Sequence, residues 1–337
     1  MIYLITVNYY SSSLIAQLMD SLSDTPTSDR QLIIINNSPD DDSIDDLKSE
    51  STIILHAGTN LGFGRACNLG LQWVYQRNSE AIVWLINPDS YLLENTLARA
   101  TRFFSAYPEL SILGTLVYEP TGKIWFGEGE FVPETGEIVV RNRIPDDLLP
   151  SSEKRDRMPD DLLLPSEKRD RMPDDLSPHS EKAYTIAKWV TGCSLLINFK
   201  HFSEVPQFDP DYFLYYEDFD FCQRYARQGH LIGLTGQLKV IHQPSSIAGR
   251  NQNLKLRNSI YSYLLTLEKH ASQSVLWMRL LRIAMAAAIA LPIQPQRALN
   301  KWQAIFLYGQ RALNQSIQQR ARGRGQKAEG RRQKGKV

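Results

Sequence analysis

Two hydrophobic periodicities share the first 120 residues of this chain. Unbroken apolar runs at 2–7, 32–35, 53–55, 82–86 and 112–117 have the length and β-branched content of buried strands. Between several of them, at 14–22, 65–76 and 96–107, apolar residues recur every three or four positions and predict helices. Strand–helix alternation of this kind predicts an α/β domain with a mainly parallel sheet. Such sheets bind ligands beyond the C-terminal ends of their strands, where Asn8, Asn36–Asn37 and Asn87–Asp89 fall.

The pattern breaks at 144–182, where a Pro-rich unit beginning PDD repeats with a period of 14 residues. Balanced charge and proline make this a flexible surface insertion. Regular structure resumes with a strand at 195–198, a helix at 219–228 closed by Gly229, and a strand at 239–242. Residues 275–293 are the longest apolar stretch, but Arg279, Arg282 and Pro292 interrupt it. That composition predicts a helix lying on a membrane surface in preference to one spanning it, with a buried packing helix as the alternative.

The organisation expected is therefore an α/β half over 1–143, a repetitive, disordered insertion at 144–182 and a second half at 183–270. Amphipathic helices follow at 271–310, then a disordered basic tail at 311–337.

Composition bounds the function classes. With 337 residues and 42% hydrophobic content the chain has ample core. Net charge is only +1, yet residues 311–337 hold nine Lys or Arg against Glu329 alone. Such a tail is drawn to anionic surfaces, each cation contributing about 1 kcal/mol near an anionic leaflet. It lacks the interleaved aromatics of a nucleic-acid stacking surface, so nucleic acid is not an expected partner. Cys67, Cys193 and Cys222 are widely spaced, without zinc-ligand spacing, as in a reduced cytoplasmic protein. The opening MIYLITVNYY reads as a first strand and not as a signal peptide.

Candidate chemistry concentrates in FDPDYFLYYEDFDFCQR at 208–224. An aromatic loop enters a helix whose first turn carries Glu217, Asp218 and Asp220. Two readings stand: acids complementing a helix dipole, or a carboxylate at the rim of a sugar-sized pocket with Asp218 as a base. LINPDS at 85–90 places Asp89 in a turn beyond a buried strand; on its own it reads first as an ordinary Asn-Pro-Asp turn, and otherwise as one carboxylate sufficient for a divalent cation that also binds phosphates. His242 ends a strand and is a further candidate ligand. NLGFGRACNLG at 60–70 opens a helix through Gly62 and Gly64, so that Arg65 and the helix N-terminus face an anion.

Together, TVNYY, IIINNSPDD, NLGFGRACNLG, LINPDS, VTGCSLLI, the 208–224 motif and KVIHQPSS resemble, in order and spacing, the family 2 inverting glycosyltransferases. Within them the likeness is to the rhamnosyltransferase-like branch, and it covers most of 1–265 outside the repeat. The resemblance implies a GT-A (Rossmann-like) nucleotide-diphospho-sugar transferase fold, α/β, with a C-terminal helical extension. Thr6, Asn8, Asn36 and Asn37 would line the nucleoside pocket, with Asn60, Gly62 and Arg65 also on the donor. Asn87 and Asp89 would replace the family's DxD motif, with Asp89 and His242 on Mg2+ or Mn2+. Thr191 and Gly192 would lie by the donor sugar and acceptor, Glu217 would orient the acceptor or cap the helix, and Asp218 would be the catalytic base. Tyr212, Tyr215 and Tyr216 would wall the sugar site or simply pack the core. The chain departs from the family pattern at Asn36, where the family has Asp.

The resemblance further implies a metal-dependent transfer, of rhamnose in that branch, from a nucleotide-diphosphate sugar to a hydroxyl of a glycan or lipid-linked glycan. Together with the C-terminal helices and tail, this places the enzyme at the inner face of the cell membrane. The alternative is a catalytically degenerate nucleotide-sugar-binding protein.

Overall fold

The computed structural model describes residues 1–23, 26–93, 95–149, 182–243 and 252–334, with side chains to residue 315. The chain divides into two compact units, Met1–Arg250 and Asn251–Val337.

The first unit opens with β1 (Ile2–Asn8), α1 (Ser12–Asp20), β2 (Arg30–Asn36) and β3 (Thr52–His56). It continues through α2 (Phe63–Tyr75), β4 (Ile82–Ile86), β5 (Ser90–Leu92), α3 (Thr96–Ala106) and β6 (Ile112–Tyr118). Short strands β7 (Ile124–Phe126), β8 (Glu128–Val132), β9 (Glu137–Arg141) and β10 (Thr185–Ile186) precede β11 (Ser194–Asn198). α4 (Glu217–Arg227) and β12 (Ile232–His242) complete the unit.

Among the described residues, ten strands form one sheet whose main path is β10-β12-β6-β11-β4-β1-β2-β3, with β5 on β12 and β7 on β6. β3, β2, β1 and β4 run parallel, whereas β11 is antiparallel to both β4 and β6. The sheet is mainly parallel, as expected, with antiparallel strands among the parallel ones. The antiparallel insertion of β11 brings segments far apart in sequence to one edge of the site. The two expected halves share this single sheet, so they are one unit and not two lobes.

Strand interiors are apolar on both faces because helices cover them. Leu4, Leu32, Ile34 and Trp84 are fully buried, each contributing roughly 1.5–3 kcal/mol. Trp84 Nε1 donates to Ser194 Oγ at 3.0 Å, which satisfies the one polar atom of the largest core side chain. The hairpin β8–β9 is a separate two-stranded sheet, unread in the sequence because its alternation is short and charged.

The second unit contains α5 (Gln252–His270), α6 (Gln273–Ala290) and α7 (Pro295–Lys334). α5 belongs here and not with the acceptor half, whose expected limit at 270 moves back to 250. Helical backbone also continues to Lys334 across the segment expected to be a disordered tail. Ala, Gln, Arg and Lys dominate that segment, and all are good helix formers. The repeat is outside the described residues beyond Leu149 and before Lys182.

Candidate active site

Parallel pairing of β1 with β2 sets Asn8 opposite Asn36, and β2 with β3 sets Asn36 opposite His56. Three strand ends therefore meet in one polar cluster. Asn8 Nδ2 donates to Asn36 Oδ1 at 3.1 Å and to Asp41 Oδ2 at 3.0 Å. Asn36 Nδ2 donates to the Asp41 carbonyl. Asp41 is held below the usual carboxylate range by bonds from Asn8 and Ser43. The carboxylate that Asn36 lacks is therefore present in the same cluster, carried by a residue that the sequence reading passed over. The signal lay in its position at the end of IIINNSPDD, two residues past Pro39, but only the hydrogen bonds give it a role.

Asn37 faces the other way. Its Oδ1 accepts from the Leu61 amide at 2.8 Å and its Nδ2 donates to Asn60 Oδ1 at 3.0 Å. Thr6 lies inside β1 at 1% exposure with its hydroxyl unpartnered; no open surface reaches it.

The glycine turn at the head of α2 departs from expectation. Gly62 has φ 80°, and a Cβ there would meet the Phe213 carbonyl oxygen at 2.0 Å. A Cβ on Gly64 would meet Phe208 Cβ at 2.9 Å. The close backbone approach these glycines permit is therefore to the protein's own 208–216 loop. The first amide of α2, on Phe63, donates to Phe213 O at 3.0 Å, so a protein carbonyl and not an anion receives it. Arg65 is exposed and its Nε donates to the Leu61 carbonyl.

That loop delivers α4 through two successive residues in the left-handed region, Tyr215 at φ 72° and Tyr216 at φ 64°. Non-glycine residues hold such backbone only where the surroundings over-determine it, and it clusters at functional sites. The three acids that follow take unequal positions. Asp220 is fully buried and accepts from Arg224 Nε at 2.6 Å, one turn on. Glu217 is 5% exposed, lies near Cys67, and has Oε2 without a donor. Burial, then the charge of Asp218, push its carboxyl up to about 8. Glu217 is neither an open acceptor contact nor a helix cap, because its side chain turns inward towards α2.

Asp218 alone remains partly accessible. Its Oδ2 accepts from the Gly192 amide and its Oδ1 from the Phe219 amide, both at 2.8 Å. Burial raises its pKa, and these bonds, together with one from Thr191, pull against that rise. Tyr212 is fully buried and packs the core, whereas Tyr215 and Tyr216 are half-buried.

The loop 191–193 joins this acid to the turn after β4. The Asn87 amide donates to the Cys193 carbonyl at 3.0 Å. Antiparallel pairing of β5 with β12 then places Ser90 opposite His242. As a result Asp89 Oδ1 lies 3.1 Å from His242 Nε2, with Asn87 Nδ2 at 3.4 Å from the same nitrogen. Both Asp89 and His242 are buried. The pair is close but poorly aligned for a hydrogen bond, so Asp89 Oδ1 has no donor. Burial opposes charge on His242, but Cys193 and Asp89 outweigh it and raise the pKa to about 10. Trp125 meets the imidazole edge-on at 4.4 Å between ring centroids. It is a second site residue that sequence pattern did not single out.

A buried carboxylate oxygen without a donor beside an imidazole nitrogen suits a divalent cation that would displace the proton His242 otherwise holds and complete its shell with phosphate oxygens and water. Among the described residues no group of three or more His, Cys, Asp or Glu is placed to hold a metal ion. A cation here needs the substrate's own oxygens.

Residues 2–152 match the family model for glycosyl transferase family 2. Among solved structures, GalNAc-T7 with UDP, GalNAc and Mn2+ is similar over 80% of this chain and 47% of its own, with 14% identity and a TM-score of 0.54. This chain thus spans about half the length of that protein. The mannosyltransferase PcManGT from Pyrobaculum calidifontis, in complex with GDP-Man and Mn2+, is similar over 91% of this chain and 85% of its own, with 12% identity and a TM-score of 0.47. No curated protein matches the sequence. The fold is that of the GT-A glycosyltransferases, with a helical C-terminal region.

Proposed function

We propose that this protein transfers a sugar from a nucleoside-diphosphate sugar to an acceptor hydroxyl with inversion, and that Asp218 is the base. The observation that carries this reading is the chain of contacts from Asp218 through Gly192 and Cys193 to Asn87, beside Asp89 and His242. A proton acceptor and a phosphate-binding pair belong to one connected loop system.

Asp89 and His242 would hold a divalent cation, with Mn2+ in the GalNAc-T7 structure as support; such a cation would supply positive charge against the negative charge of the departing nucleotide. Asn8, Asn36 and Asp41 bind the nucleoside end. UDP in GalNAc-T7 supports a nucleoside-diphosphate donor. Asp218 takes the proton of the acceptor hydroxyl as that oxygen attacks the anomeric carbon. The bond from that carbon to the diphosphate oxygen breaks on the opposite side, so one displacement inverts the centre. The Gly192 and Phe219 amides fix the carboxylate's direction while its partial exposure leaves it reachable. Rhamnose as the sugar and a glycan or lipid-linked glycan as the acceptor extend the same reading, as does a cytoplasmic site of action.

A screen of nucleoside-diphosphate sugars for metal-dependent release of nucleoside diphosphate tests it. Release with at least one donor, lost in Asp218→Asn and in Asp89→Ala, is expected. Binding of donors without any release sinks the reading and leaves the second one, a nucleotide-sugar-binding protein, which Asn36 favours.

A further inference from the structure

The second unit exposes two stripes of large apolar residues. On α6, Val275, Leu276 and Ala287 are buried, while Trp277, Leu281, Met285 and Ile289 are 48–72% exposed. These four recur every fourth residue and so form one stripe. On α7, Ala298 and Ala304 are buried, while Leu299, Trp302, Phe306 and Leu313 are 42–63% exposed on a second stripe. The link between the helices adds Leu291 and Ile293, the latter 76% exposed. Large apolar residues facing outward, with alanines among the buried positions, is the arrangement of helices whose surroundings are themselves apolar.

Charge defines how deep such surroundings reach. From 283 to 296, IAMAAAIALPIQPQ, the helix ends and their link carry no charged residue. Arg279 and Arg282 precede this tip on α6, and Arg297 and Lys301 follow it on α7. Trp302 stands directly beside that cationic collar. From Arg282 to the link the helix rises on the order of 12 Å, close to the roughly 15 Å of one leaflet's hydrocarbon. Residues 269–328 contain ten Lys or Arg and no Asp or Glu.

We propose that the α6–α7 tip inserts into one leaflet of an anionic lipid bilayer, with Arg279, Arg282, Arg297 and Lys301 at the lipid phosphates. α6 is long and apolar enough by composition to cross a membrane and only 17% buried, but its two arginines stop it at the headgroups. Trp302 takes the interfacial position that tryptophan prefers. A second copy of the chain seated on this tip would set Arg282, Arg297 and Lys301 against the same cations, so that like charges would meet. This inference rests on the second unit alone and stands apart from the proposed transfer reaction.

The test is sedimentation of the full chain with vesicles of phosphatidylcholine alone or mixed equally with phosphatidylglycerol. The wild type is expected to pellet with the mixed vesicles. Ile289→Asp with Ile293→Asp changes only exposed positions, and is expected to weaken binding by more than about tenfold with unchanged circular dichroism. Arg282→Gln with Arg297→Gln should weaken it by about fivefold per charge. Bromine labels on the upper acyl chain should quench wild-type tryptophan fluorescence, a readout that needs no variant. A wild type that stays in the supernatant overturns the proposal. So does binding that added salt abolishes and the Asp pair leaves unchanged, since that belongs to the basic tail. Loss of a concentration-dependent dimer in the Asp pair, without vesicle binding, also overturns it.

Discussion

Gly192 donates its amide to Asp218 at 2.8 Å, and this single bond ties the head of α4 to the loop before β11. It aims the one accessible acid of the EDFD run, while Glu217 and Asp220 are committed elsewhere. Replacing Asp218 by Asn can keep one of its two amide bonds, that from Gly192, but removes the other acceptor oxygen and with it the base. Turnover should fall by about 10²–10⁴-fold, with thermal unfolding little changed. Steady-state rates and a melting curve on the same sample decide the matter. Near-normal turnover would remove Asp218 from the role of base.

The pH–rate profile should show the same group. Burial raises the Asp218 pKa above its ordinary value, and a base must be ionised to act. Rates should therefore fall on the acid side at a pH above that of a free aspartate. A profile of kcat/KM that is flat down to pH about 4 contradicts this assignment.

Asp89 and His242 should act as one unit towards a cation. Asp89→Asn or His242→Ala each leaves a single ligand, and Mn2+ affinity should drop by about 10–100-fold. Binding of Mn2+ in the presence of nucleoside diphosphate, followed by electron paramagnetic resonance, measures this without any turnover. Equal Mn2+ affinity in wild type and both variants would mean that the pair is only a buried ion pair.

Asp41 should matter to nucleotide binding more than Asn36 does. Asp41→Asn removes the only carboxylate bonded to Asn8 in the described cluster, and a charged hydrogen bond contributes about 1.5–3 kcal/mol. Calorimetry with UDP, GDP and dTDP should show affinity falling by roughly 10–100-fold for the preferred one. Asn36→Asp adds a second carboxylate beside Asp41 and should weaken binding through repulsion. Tighter binding by that variant would assign the role to position 36.

Glu217 makes stability depend on pH. Its folded pKa, about 8, exceeds the roughly 4.3 of a free glutamate. Between these values the folded state holds the proton and the unfolded state does not. Stability should therefore decline as pH rises from about 4.3 towards 8. Glu217→Gln cannot ionise, so its urea midpoint should lose that part of the slope. A variant with the wild-type slope would show that Glu217 is not the group responsible.

Gly62→Ala tests the turn beneath the site. The new Cβ would meet the Phe213 carbonyl oxygen at 2.0 Å, on backbone with φ 80°. A loss of roughly 1–3 kcal/mol is expected, read from denaturant unfolding.

Much of this was written in local pattern. Apolar runs marked β1, β2, β4 and β6 because a strand buried on both faces must be apolar throughout. Period and composition marked α2, α3 and α4 to within two residues. They also marked the acids, the NPD turn and the strand-end histidine as chemically unusual. Patterns of this kind are short-range: each residue's burial class is set by the few neighbours that share its strand or helix.

Pairing across the chain is not local, and there the tertiary structure decided. Only the antiparallel strand β11 joins Cys193 to Asn87, and only β5 against β12 sets Asp89 beside His242. Asp218 became distinct from Glu217 when the left-handed turn at Tyr215 and Tyr216 set which side chain faces the 191–193 loop and which faces α2. Asp41, the last residue of IIINNSPDD, had no role of its own there, and Trp125 had no motif; their standing comes from a hydrogen bond and a ring contact with residues distant in sequence. The glycines at 62 and 64, legible as a place of close approach, gained their partner only when the 208–216 loop was seen lying on them. Sequence spells out which groups are available and which segments must be buried; the register of strands decides which of those groups meet.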